Sequence, residues 1–140
     1  MSNIYFFEDL HVGQTATLSK TITDADIQMY SLVSLDTNPI HLDEEAARLS
    51  RFGCRIAHGM LSAGLISALL GTWLPGPGTI YMTQSLAFRA PVRIGHTVRA
   101  IVEITDLNLP RKRATLRTQC LVEEDVVIDG EACVLVPSRF

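Results

Sequence analysis

The chain has 140 residues, a formal net charge of -3 at pH 7 and a hydrophobic fraction of 47%. This length fits one domain, and we expect it to span residues 1–140. The slightly acidic balance excludes the broad basic surface of a nucleic-acid-binding protein. The apolar composition predicts surface buried against a second copy of the chain, although a large ligand tunnel would give a similar composition.

The cysteines indicate a reducing compartment. Cys54, Cys120 and Cys133 are odd in number and widely spaced, with no C-x-x-C pair and no metal-ligand spacing to histidine. The start of the chain lacks a basic segment before its apolar residues, which is not typical of a signal peptide. The most apolar stretch, 60–74, is interrupted by small polar residues and is shorter than a membrane span. We therefore expect a cytoplasmic protein with no metal site and no membrane contact.

The first third of the chain predicts a strand and two helices. Apolar and polar residues alternate over 16–22, as in a strand. Thr23 stands at an N-cap position, and helical spacing follows to about Leu35. Asp43 is expected to cap a short helix that runs to about Leu49.

The rest of the chain predicts one long helix followed by strands. Residues 59–73 are apolar nearly all round, which is typical of a covered helix, and a Pro-Gly-Pro-Gly run stops it. Period-two patterns then predict four strands, near 80–88, 98–104, 114–122 and 133–136, with turns at 90–95, at 108–110 and at Asp129-Gly130. The pattern predicts an α+β fold in which about five antiparallel strands wrap the long helix.

The run Asp36-Thr37-Asn38-Pro39-Ile40-His41 brings together a carboxylate and an imidazole, the two parts of a general acid/base pair. Pro39 fixes its own φ and pushes Asn38 toward an extended conformation, so we expect Asp36 and His41 to lie on a loop rather than a helix. The same residues also form ordinary solvated turns, and the spacing alone does not decide between these interpretations.

A second motif, His58-Gly59-Met60, opens the long helix. Gly59 permits close approach of a ligand where the first amides of the helix lack intrahelical partners, so an anionic oxygen could bind there. A simple tight entry, with His58 as a polar cap residue, is the alternative. Together the two motifs supply what the addition of water to an α,β-unsaturated thioester requires.

These motifs, together with the later Tyr81-x-x-Gln84-Ser85-Leu86-x-Phe88-x-x-Pro91-Val92, resemble the MaoC-like hydratase family and its (R)-specific enoyl-CoA hydratases. The resemblance covers essentially the whole chain. It implies a homodimeric hot-dog fold and reversible syn hydration of trans-2-enoyl-CoA to (R)-3-hydroxyacyl-CoA. It also implies a role in fatty acid metabolism or the supply of polyhydroxyalkanoate precursors, with no metal or organic cofactor.

The resemblance also assigns site residues. It implies that Asp36 and His41 are the catalytic dyad and that the Gly59 amide donates to the thioester oxygen. Ser67 matches a family serine near the catalytic carboxylate, although packing against a neighbouring strand is an equal alternative. The residues expected to contact substrate or orient the loop are Asn38, His58 and Ala63.

Three alternatives stay open at this point. A dehydratase acting on acyl-carrier-protein substrates has the same motifs, and a hot-dog thioesterase cleaves the same class of thioester. A non-catalytic acyl-binding domain is the third. Carrier phosphates could meet basic residues, for which the candidates are Arg89, Arg93, Arg111, Lys112 and Arg113.

Overall fold

The computed structural model describes residues 4–140 of the chain. Within this range, a short 3-10 turn at Phe7–Asp9 precedes four α-helices and six β-strands. The helices are α1 (Asp24–Ser34), α2 (Pro39–Leu42), α3 (Glu44–Arg48) and α4 (Gly59–Thr72). The strands are β1 (Thr15–Thr21), β2 (Ile80–Gln84), β3 (Ala87–Phe88), β4 (Thr97–Asn108), β5 (Arg113–Val122) and β6 (Asp125–Leu135).

The strands form one antiparallel sheet in the order β1-β4-β5-β6-β2, and β3 also pairs with β6. Alternate side chains of β4 and β5 are fully buried against α4, whose Ile66 and Leu69 have no exposed surface. A long helix wrapped by an antiparallel sheet is the predicted hot-dog arrangement, which is confirmed. Among residues 4–140, no helix combines the length and the apolarity needed to cross a bilayer.

The predicted start of α1 is confirmed in detail. The side chain of Thr23 accepts a hydrogen bond from the amide of Asp26, and the carboxylate of Asp26 accepts from the amide of Thr23. This reciprocal pair satisfies two amides that the helix itself leaves unbonded. The helix ends at Leu35, which adopts the left-handed conformation at φ 64° and donates its amide to Ser31.

The prediction that His41 lies on a loop is wrong. The helix does break before Asp36, but Pro39 then begins the single turn of α2, which carries His41. Proline is well suited to the first position of a helix because the amide it lacks has no intrahelical partner there. Asn38 caps this turn by accepting a hydrogen bond from the amide of Ile40 at 3.2 Å.

Two strand predictions also need correction. The pattern over 80–88 is divided into β2 and β3, so the sheet has six strands rather than about five. Asp129-Gly130 is not a turn, because both residues lie inside β6 and the chain turns instead after Val122. Gly130 is needed for close approach: a Cβ there would lie 1.9 Å from the carbonyl oxygen of Ser85.

Candidate active site

The C-terminal end of α1 positions Asp36. Its amide donates to the hydroxyl of Ser34 at 3.1 Å, and one oxygen of its carboxylate accepts from the amide of Asn38 at 3.2 Å. The left-handed residue before it turns the chain out of the helix. The carboxylate is therefore held at a helix end while its residue stays exposed to solvent.

His41 is buried, with 8% of its surface exposed. Its Nδ1 lies 2.8 Å from the carbonyl oxygen of Ile56, and a carbonyl can only accept, so Nδ1 carries a hydrogen. In the neutral ring, Nε2 is then the nitrogen that can take up a proton.

The ring of His58 lies against that of His41, with centroids 3.8 Å apart and planes inclined by 27°. His58 is almost fully buried, and its Nε2 lies 3.0 Å from the main-chain carbonyl oxygen of Asp36 and 3.2 Å from the hydroxyl of Ser31. One side-chain atom from each of Asp36, His41 and His58 lies within 4.8 Å of the other two. The structure thus brings the two predicted motifs into one cluster.

The pKa of His41 is lowered from its ordinary value. Burial is the main cause because it penalises the charged ring, and the neighbouring His58 acts in the same direction. The hydrogen bond to Ile56 and the negative charge of Asp36 oppose the shift. His41 is therefore mostly neutral at pH 7 and remains close enough to a carboxylate to exchange protons with it.

Arg55 ties this cluster to the surrounding helices. Its Nε donates to the main-chain carbonyl oxygen of His41 at 2.7 Å, although only 9% of the residue is exposed. Its two terminal nitrogens bind Asp24 at 2.5 Å and Glu44 at 3.3 Å. The sequence interpretation missed Arg55, because a single arginine between motifs gives no periodic signal.

Gly59 begins α4 beside the ring of Phe88. A Cβ at position 59 would lie 2.6 Å from two carbons of that ring, so a side chain there requires Phe88 to move. The exposed start of the helix faces the same cavity as the dyad. Its first amides can point at an oxygen that carries negative charge.

A cavity of about 600 Å³ is lined by several residues of the site, among them Asp36, His41, His58 and Gly59. Ser62, one turn into α4, also lines it; the residue is buried, and its hydroxyl has no hydrogen-bond partner among residues 4–140. In the sequence, Ser62 is only one of the small polar residues that interrupt the apolar stretch 60–74. The sequence cannot show that this hydroxyl is unpaired, because that depends on the fold around the cavity.

Ser67 and Ala63 lie elsewhere. They line a second cavity of about 390 Å³ between α4 and β2, and Met60 lines both cavities. The single chain therefore does not bring Ser67 together with Asp36, and its supporting role stays a prediction. Asn38 lines neither cavity and caps α2 instead.

Asp36, His41 and His58 also form a possible set of metal ligands by distance. However, Nδ1 of His41 donates to Ile56, and Nε2 of His58 faces the carbonyl oxygen of Asp36. These contacts leave Nε2 of His41 and Nδ1 of His58 free, and the expectation of no metal site stays a prediction.

Known proteins resemble this chain over nearly its whole length. The family model described as MaoC like domain matches residues 9–126. An (R)-specific enoyl-CoA hydratase of Rhodospirillum rubrum is 56% identical over 97% of this chain and 94% of its own length. A 3-hydroxybutyryl-CoA dehydratase of Methylorubrum extorquens is 52% identical over 97% of this chain and 87% of its own.

A solved structure gives the same result. The (R)-hydratase from A. caviae involved in PHA biosynthesis superposes with a TM-score of 0.90 at 44% identity, and the match covers 93% of this chain and 99% of that one. The matching family model, the relatives and the common fold agree with the motifs around Asp36 and Gly59. The chain therefore belongs to the MaoC-like family of hydratases and dehydratases.

Proposed function

We propose that this protein catalyses the reversible syn hydration of trans-2-enoyl-CoA to (R)-3-hydroxyacyl-CoA. The observation that carries the proposal is the meeting of a carboxylate, an imidazole and the start of a helix in one cavity, at Asp36, His41 and Gly59. The hydratase and dehydratase names of relatives at 56% and 52% identity support the reaction. The (R)-specific name of the first relative supports the configuration of the product.

In the proposed mechanism a water molecule lies between Asp36 and His41. The reactive form is the one in which His41 also carries a proton on Nε2, a minority form at pH 7 because the pKa of His41 is lowered. Asp36 accepts one proton of the water as the water oxygen forms a bond to the β-carbon, and His41 delivers the Nε2 proton to the α-carbon. The electrons of the double bond pass toward the thioester oxygen, which gains enolate character against the amide of Gly59. The proton left on Asp36 then returns to His41 within the coupled pair.

This addition needs only water and the thioester. Neither reactant is oxidised or reduced, so the reaction requires no redox cofactor. We propose that the dyad acts without a metal ion, because a carboxylate and an imidazole together can move both protons of the reaction.

A homodimer is the proposed assembly. β2 is an edge strand and exposes Ile80, Tyr81 and Met82, of which Ile80 is 54% exposed. Phe88 and Trp73 are also exposed apolar side chains. Edge strands with exposed apolar side chains pair with other chains, and a second copy would also close the cavity beside β2.

The assembly is tested by light scattering coupled to size-exclusion chromatography. The wild-type chain is expected to have the mass of a dimer, and Met82→Lys is expected to shift it toward the monomer. A monomeric wild-type chain, or a dimer that is unaffected by charge at this edge, would contradict the proposed interface.

Two arginines of the larger cavity are candidates for contact with the phosphates of the thioester carrier. Arg89 lines the larger cavity, as does Arg51, which the sequence interpretation had not included. Arg111, Lys112 and Arg113 lie at the turn between β4 and β5 and line neither cavity. We propose Arg51 and Arg89 as the carrier contacts, since arginine suits phosphate.

The cytoplasm is the proposed location. All three cysteines are free thiols in the structure, in keeping with a reducing compartment.

The reaction is tested by incubating the purified protein with crotonyl-CoA. Hydration removes the absorbance of the enoyl thioester without releasing thiol, and chiral analysis should identify the (R)-product. Free thiol would favour a thioesterase, and binding without turnover would favour a non-catalytic acyl-binding domain. Faster turnover of the matching acyl-carrier-protein substrate would favour the carrier-protein dehydratase.

A further inference from the structure

We propose that His58 is a positioning residue of the dyad: its ring supports His41 and holds the main chain of Asp36, and the hydroxyl of Ser31 contacts the same ring nitrogen. This inference rests on the proposed hydratase function and assigns a role that differs from substrate contact.

The first support is the hydrogen bonding of the ring. Nε2 of His58 lies 3.0 Å from the main-chain carbonyl oxygen of Asp36, so Nε2 carries the hydrogen and donates it. The hydroxyl of Ser31 lies 3.2 Å from the same nitrogen. Ser31 is 4% exposed and lies one turn before Asp36 on α1. The ring thus fixes the point at which the chain leaves α1 with the catalytic carboxylate.

The second support is the lack of a hydrogen-bond partner for the other ring nitrogen among the described residues. Nδ1 of His58 is buried and has no hydrogen-bond partner in the part of the chain that the structure describes. Among the described residues the ring is therefore held by hydrogen bonds through Nε2 alone, on the side that faces Asp36.

The third support is the contact with His41. The two rings are stacked at 3.8 Å, and His58 is the N-cap residue of α4. One side chain consequently touches the ring of one dyad member and the main chain of the other. A shift of His58 changes the separation of the two groups that must share a water molecule.

The charged and titratable groups around His58 come from several elements. Asp36 lies at the end of α1, His41 lies on α2, and the ring of Tyr30 on α1 is 4.7 Å from that of His58. Arg55 reaches the carbonyl oxygen of His41 and is paired with Asp24 and Glu44. The neighbouring His58 is also one cause of the lowered pKa of His41.

The experiment compares His58→Leu, His58→Gln and Ser31→Ala with a matched control, His11→Gln, which changes an exposed histidine outside both cavities. We expect His58→Leu to lower kcat for crotonyl-CoA hydration by about 10- to 100-fold, the range that small misplacement of catalytic groups produces, with little change in KM. His58→Gln retains an N–H at a similar reach and should recover part of the loss. The control should match the wild type.

A readout without substrate separates this inference from the proposed function. Side-chain ¹H–¹⁵N NMR of labelled histidine reports the tautomer and the titration of His41 in the free protein. In His58→Gln the titration of His41 should move to higher pH, because the neighbouring ring that lowers the pKa of His41 is gone. The same measurement remains informative if the wild-type protein shows no hydratase activity.

Two results would overturn the proposal. One is wild-type kcat and unchanged His41 titration in folded His58→Leu and His58→Gln. The other is a rise in KM at constant kcat, which would return His58 to substrate binding. If His58→Leu does not fold, a wild-type kcat and titration in Ser31→Ala and His58→Gln would have the same meaning.

Discussion

Arg55 and His41 are joined through the main chain, because Nε of the buried guanidinium donates to the carbonyl oxygen of His41 at 2.7 Å. His41 is therefore held at two points. Arg55 binds its main-chain carbonyl oxygen, and the carbonyl oxygen of Ile56 accepts a hydrogen bond from its ring. A side chain far from substrate thus takes part in placing the dyad.

Replacing Arg55 with Met should weaken both folding and catalysis. The change leaves the buried carbonyl of His41 without its donor, which typically costs about 1–3 kcal/mol of unfolding free energy. Urea denaturation measures the loss, and kcat should fall with it. Arg48→Met is the control, because Arg48 forms only an exposed pair with Glu45 on one helix, and such pairs contribute about 0.3–0.5 kcal/mol. Equal effects in the two variants would contradict a special role for Arg55.

Removing either member of the dyad should abolish most of the activity. Asp36→Asn and His41→Gln should each lower kcat for crotonyl-CoA hydration by about 10²- to 10⁴-fold, since general acid/base catalysis contributes this much. Circular dichroism should show an unchanged fold. Asp125→Asn, at an exposed carboxylate that begins β6, is the matched control. Near-normal turnover in either dyad variant would remove that residue from the mechanism.

Gly59→Ala should disturb the oxyanion site. The new Cβ would lie 2.6 Å from the ring of Phe88, so the helix start or the ring must shift. We expect kcat to fall by up to about 10²-fold, in line with the loss of one oxyanion donor. Adding Phe88→Leu should recover part of this loss, because it removes the clashing ring. Gly71→Ala, at the other end of α4 with no atom near the added Cβ, should keep its turnover.

Chain-length preference should depend on the second cavity. Ala63→Leu and Ser67→Leu fill the space between α4 and β2, so octenoyl-CoA should be hydrated less well relative to crotonyl-CoA. The ratio of kcat/KM for the two substrates measures the effect, and crotonyl-CoA serves as the internal control. An unchanged ratio would indicate that the acyl chain follows another route.

Stability should decline on mild acidification because of His41. Its pKa is lowered in the folded protein, mainly by burial, so the unfolded chain binds more protons as the pH falls through about 6.5. The contribution of uncharged, buried His41 to the free energy of unfolding is fully present above that pH and is lost below it. Urea denaturation between about pH 7 and about pH 5 should show a shallower decline for His41→Gln. Carboxylates with lowered pKa, such as Asp24 and Asp26, act at lower pH, near about 4.

Periodicity and capping predicted much of this fold. The sequence placed α1 from its Thr23 cap and α4 between a glycine and a proline-rich stop, because these signals are local. The role of Gly130 could not be predicted, since the atom that excludes a side chain belongs to Ser85, far away in sequence. Sequence signals are reliable where the interaction behind them joins residues that are close together in the sequence.

The site residues could be predicted from the sequence to the same extent. The motifs around Asp36 and Gly59 were visible in the sequence, and the structure brings them into one cavity. Ser31 and Arg55 were not recognised, because each acts through a contact with a distant segment and neither belongs to a spaced motif. Ser62 was not recognised because its position in the cavity wall depends on the fold. Their roles depend on burial, which composition does not report.

The partner of Nδ1 in His41 is a main-chain oxygen, that of Ile56. Every amino acid carries the same carbonyl, so no substitution at position 56 deletes the group that selects the tautomer of His41. Genetic drift at this position can alter the cavity wall while leaving the hydrogen on Nδ1. The tautomer of His41 is consequently protected against substitution of its partner residue in a way that a side-chain partner would not permit.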